Sequence, residues 1–110
     1  MPSTSATFNQ ITATIAINTA ASTVIDIRGY AQMGFQIPSA FTGASVSFQV
    51  SADNSTFVAL HDTSNAAVSQ TVTASKAYTL PISIFPWGYM KIISASNEAA
   101  ARSIIVALKY

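Results

Sequence analysis

The chain contains no cysteine, so neither a disulfide nor a thiolate staples the fold or carries chemistry. Charge is scarce as well. Lys and Arg number 5 and Asp and Glu 4, or 8% of 110 residues, against about 25% in an average soluble domain. The net charge of +1 is too small to draw the chain onto a polyanion by counterion release, and no nucleic-acid partner is expected. Mean hydropathy is +0.40, yet no apolar run nears the roughly 18 residues that a spanning helix needs, so no membrane partner is expected either. Met1 to Gln10 lacks the basic and apolar regions of a secretory signal. The length leaves room for one domain, because a second core would be too small to hold itself together.

Leucine, the usual core residue of helical proteins, appears 3 times, whereas Ile 12, Val 7 and Thr 12 dominate. β-Branched side chains are stiff at χ1, lose freedom in a helix and pack well on a pleated surface. The expected class is therefore all-β. Residues 1–9 are uncharged and rich in Ser and Thr, which reads as an arm ahead of a domain over residues 10–110. Phe8 is the one large hydrophobe whose burial could anchor that arm, and contact with another chain is the expected source of its order.

Ile11, Ala13, Ile15 and Ile17 alternate with Thr12, Thr14 and Ala16, the period of a strand with one apolar face. Further strands are expected at Val24–Arg28, Met33–Ile37, Val46–Val50, Phe57–Leu60, Val68–Val72, Tyr78–Leu80, Tyr89–Ile93 and Ser103–Leu108. Ser51–Ser55 holds Asp53 and Asn54, residues that close turns, so a hairpin is expected there. Ile82–Phe85, caught between Pro81 and Pro86, is expected to be an edge piece or loop. Asn97 to Arg102 offers a possible N-cap followed by good helix formers, and a single helical turn feeding the last strand is expected. Short strands at this spacing predict a two-sheet antiparallel β-sandwich of Ig-like or jelly-roll type.

Motifs for chemistry are sparse. His61 is the only histidine, and Asp62 beside it would point to the opposite face of a strand, so a dyad is not expected. No Gly-x-Ser-x-Gly elbow occurs, and Gly29, Gly34, Gly43 and Gly88 are too dispersed to cradle phosphate. Asp26, Asp53, Asp62 and Glu98 show no metal-ligand spacing. No catalytic residue, metal site or cofactor is expected, and the protein reads as a non-enzyme.

Phe85-Pro86-Trp87-Gly88-Tyr89 is the densest aromatic run. Three readings stand for it: a plug closing the end of the core, a protein interface, or a platform for sugar rings. Phe8, Phe85, Trp87 and Tyr89 are the candidate interface residues. The shortage of charge also bears on partners. A free, nearly neutral β-domain needs Lys, Pro or inward charge to guard its edges, and assembly removes that need, so a homo-oligomer is the expected state.

Phe48-Gln49-Val50-Ser51-Ala52-Asp53 followed by Phe57, with Ala77-Tyr78-Thr79-Leu80-Pro81, Tyr89-Met90-Lys91-Ile92 and Ala99-Ala100-Ala101-Arg102, resembles small virion proteins of tailed bacteriophages. The similarity spans residues 33 to 110. It is greatest to the small β-sandwich proteins of phage heads, of decoration or cement type. The Phe-x-Val-Ser-x-Asp motif is shared with other β-sandwiches, including sugar-binding discoidin-like domains, because it encodes a hairpin. The resemblance implies a structural role on the head surface of the virion, the major capsid protein as partner and self-assembly, often into trimers. The alternative implied by the aromatic run is a carbohydrate-binding or tail-associated receptor-binding module using Trp87 and Tyr89.

Overall fold

The computed structural model describes residues 8–80 and 86–109. Nine strands follow one another in these residues: β1 (Phe8–Ile15), β2 (Ile25–Asp26), β3 (Gln32–Gln36), β4 (Ser45–Ser51), β5 (Val58–Ala59), β6 (Ser69–Thr71), β7 (Ala77–Thr79), β8 (Tyr89–Ser94) and β9 (Arg102–Lys109). All pairings are antiparallel. One sheet has the order β1-β9-β3-β7, and the other β2-β8-β4-β5 with β6 also on β4. The protein is the expected all-β, two-sheet sandwich.

Alternation fixes which residues fill it. On β4 Val46, Phe48 and Val50 are buried, on β8 Met90 and Ile92, and on β9 Ile104, Val106 and Leu108, each separated by a residue that faces outward. Phe35 on β3 meets Phe48 on β4 edge to face, with ring centroids 6.2 Å apart, which joins the two sheets through one aromatic pair. Tyr78 flanks Phe35 at 5.6 Å.

The hairpin expected at Ser51–Ser55 is present. Val50 pairs with Val58 and Gln49 with Ala59 across it. Asp53 Oδ1 accepts the Ser55 and Thr56 N–H groups at 2.9 and 3.0 Å, and Asn54 takes a left-handed φ of 62°, a conformation that Asn tolerates better than most residues.

Several boundaries differ from the expectation. β1 starts at Phe8, so Phe8 and Asn9 pair with Lys109 and Leu108 as strand residues; the remainder of the expected arm, residues 1–7, lies outside the described residues, as does the piece at Ile82–Phe85. The stretch Val24–Arg28 contributes only Ile25–Asp26 as strand, because Arg28 folds back onto Asp26. No helical turn forms at Asn97–Arg102. The Glu98 side chain turns into the protein there, and the chain crosses between sheets in irregular backbone held by Asn18 N–H to Glu98 C=O (2.8 Å) and Glu98 N–H to Thr19 C=O (2.9 Å).

Candidate functional site at the start of strand β8

Pro86 to Gly88 form a bend leading into β8, and this bend places Trp87 at the surface with 36% of its area exposed. Tyr89 follows as the first residue of β8, opposite Asp26 on one side and Ser51 on the other. Its ring is half-buried because the Arg28 guanidinium lies 4.9 Å above it, a cation–π contact. Arg28 is itself fixed. Its Nε and Nη2 donate to the two Asp26 carboxylate oxygens at 3.0 and 2.7 Å, and Asp26 Oδ1 also accepts the Arg28 backbone N–H.

The Arg28 side chain holds the Asp26 carboxyl below its ordinary value, while Asp26 raises the guanidinium in turn. Both groups are exposed, so the pair orients Arg28 more than it stabilises the fold. One turn of alternation further along β8, Lys91 Nζ sits 4.5 Å above the Phe57 ring. The outer face of the five-stranded sheet thus carries two cations lying on two aromatic rings, and the bend that holds Trp87 leads into it.

The expected interface residues do not all come together. Trp87 and Tyr89 are neighbours at the start of β8, Phe8 belongs to an edge strand of the other sheet, and Phe85 lies outside the described residues. His61 Nδ1 lies 3.1 Å from the Ala59 carbonyl oxygen, whereas Asp62 Oδ1 accepts the N–H groups of Ser64 and Ala66 at 2.8 and 3.0 Å. Each side chain is engaged with backbone rather than with its neighbour. Among the described residues no three His, Asp or Glu side chains gather where they could hold a metal ion, and no helix is long and apolar enough to cross a membrane.

A second cluster escaped sequence reasoning. At the far end of β8, Glu98 is fully buried and its carboxylate accepts five hydrogen bonds. Thr42 N–H and Arg102 Nε donate to Oε1 at 3.0 and 2.9 Å; the Thr42 hydroxyl, Gly43 N–H and Ser94 hydroxyl donate to Oε2 at 3.0, 3.1 and 3.0 Å. Burial pushes this carboxyl up, but the bonds from Arg102, Thr42 and Ser94 outweigh it and hold it at about 2. Gly43 has to be glycine here, since a Cβ would run into the Ser94 hydroxyl. The only hint in the sequence was the four-residue spacing of Glu98 and Arg102, which reads as a helical ion pair. The pair does form, at 2.9 Å, but without a helix.

Fold and surface together define a β-sandwich with an internal carboxylate clamp and a cation–aromatic outer face. Compared with known proteins, the sequence matches no family model and no curated protein. In structure it is similar to the SPBc2 prophage-derived protein YomS, with a TM-score of 0.61 and 10% identity over 94% of this chain and 96% of that one. A subunit of Bacillus endospore appendages, a family of disulfide-linked pili, gives a TM-score of 0.48 at 10% identity, covering 96% of this chain and 88% of that one.

Proposed function

We propose that the protein is a non-enzymatic structural protein of a tailed-phage virion, decorating the capsid by binding the major capsid protein lattice and associating with itself. The observation that carries this reading is the end-to-end likeness in fold to a prophage-derived protein, with nearly all of both chains matched. It agrees with the sequence resemblance to head decoration proteins and with a surface so poor in charge that burial against a partner costs little desolvation. Attachment proceeds by area burial at shell contacts, with Trp87 as an aromatic anchor at an exposed bend. Arg28, covering one face of Tyr89, disfavours the alternative of a sugar platform built on both rings.

Electron microscopy of virions carrying a labelled copy tests the proposal. Label over the head surface, with the protein co-purifying with intact heads, supports it. Label confined to the tail, or glycan binding by the isolated protein without head binding, overturns it.

A further inference from the structure

Most outer strands of the two sheets are short: β2 and β5 have 2 residues, β6 and β7 have 3. Brevity protects an edge from pairing with another chain. β1 is the exception. It is 8 residues long, has β9 as its one strand neighbour among the described residues, and contains no Lys, Arg, Pro, Asp or Glu.

The backbone phase of this strand is readable. Thr14 N–H reaches the Thr23 hydroxyl at 3.1 Å and Thr14 C=O accepts Thr23 N–H at 3.0 Å, so both groups point away from β9. By the two-residue alternation of a strand, the same groups of Thr12, Gln10 and Phe8 also point outward. Gln10 agrees, since its N–H is held by the Asn9 side chain at 3.0 Å rather than by β9. The Ser22–Thr23 segment therefore covers the edge only at Thr14 and Ile15. Among the described residues nothing pairs with it from Phe8 to Thr12 on that side.

We infer that this edge pairs with the β1 strand of a second copy, antiparallel about a two-fold axis at Gln10. Phe8 then faces the second copy's Thr12, and the outward N–H and C=O groups of Phe8, Gln10 and Thr12 exchange bonds while Thr14 keeps its own partner. A two-fold axis sets like residues against one another, which penalises charged strands; β1 brings none. On the flanking outer face Gln10, Thr12, Ser103, Ile105 and Ala107 are uncharged, and the one charge of β1 and β9 there, Lys109 opposite Phe8, is carried by the two-fold axis to opposite ends of the contact. Two four-stranded sheets become one continuous sheet, and Gln10 trades a bond to Asn9 for one across the axis. A contact of this size makes a weak, concentration-dependent dimer.

The inference deepens the self-association within the proposed function, and its test separates the two. Light scattering after size exclusion, up to millimolar protein, should give the wild type twice 11.5 kDa. Thr12→Pro removes only an outward N–H and no β1–β9 bond, so it should keep the wild-type circular dichroism and weaken the dimer by more than about tenfold. Should that variant not fold, amide exchange on the wild type decides: protection of Thr12 N–H that rises with concentration supports edge pairing, and uniform fast exchange overturns it. A wild type that stays at 11.5 kDa, or a Thr12→Pro protein that remains dimeric, also overturns it. Normal co-purification with phage heads in either case leaves the functional reading standing.

Discussion

A carboxylate taken out of water must recover its lost hydration from protein donors, and Glu98 recovers it from five. Those donors come from the β3–β4 connection, the end of β8 and the start of β9, so one side chain clamps the end of the sandwich where the chain changes sheets. Glu98→Gln keeps the shape but turns an amide NH2 toward donors. It should cost about 3–5 kcal/mol, the usual result of breaking a buried pair from one side, measured by urea unfolding. The same clamp makes stability depend on pH. Because the folded pKa is lowered from 4.5 to about 2, Glu98 contributes fully above about pH 4.5 and loses its contribution as pH falls toward 2, a difference of roughly 3 kcal/mol. Asp26 and Asp53, also lowered but exposed, add smaller effects of the same sign. Urea midpoints recorded from pH 6 down to 2 should fall, and Glu98→Gln should flatten most of that decline.

At the scale of elements, the β4–β5 hairpin is specified locally. Ser51, Asp53 and Asn54 supply the side-chain acceptors and the left-handed residue that the turn requires, all within a few residues. Asn54→Ala should therefore cost about 1 kcal/mol and Asn54→Gly almost nothing, since only the former strains a positive φ; thermal unfolding of the two variants reads the difference. The crossing from β8 to β9 is specified from a distance. Its Ala-rich residues favour a helix by propensity, but burying the Glu98 carboxylate among remote donors outweighs a few tenths of a kcal/mol per residue.

For the whole molecule, the sheets present unlike faces. The five-stranded sheet carries Arg28 over Tyr89 and Lys91 over Phe57, with the exposed Trp87 in the bend that leads into it, whereas the four-stranded sheet offers the uncharged strand β1 at its edge, with Lys109 of β9 beside it. Such a division suits a subunit that attaches by one face and meets its own kind along another. On the proposed decoration role, Trp87→Ala should weaken attachment to phage heads by ~2 kcal/mol or more, and weaken it more than it weakens folding, because the indole is already partly in water. A collapse in melting temperature with normal head binding by the folded fraction would make Trp87 a core residue instead.

What the sequence determined by itself was whatever depends on near neighbours: an all-β class from β-branched residues, the buried face of each long strand from alternation at positions such as Val46, Phe48 and Val50, and the hairpin from Asp53 and Asn54. These signals have ranges of two to five residues and survive being read in one dimension. Three-dimensional structure alone decided what depends on distant partners. Arg28 had to be folded onto Tyr89, 61 positions away, before that ring lost one face. Glu98 had to meet Thr42 and Gly43, 56 and 55 positions away, before its charge became internal. A charge shows no pattern of its own; its burial is set by which donors the fold brings within about 3 Å, and no local spacing encodes that.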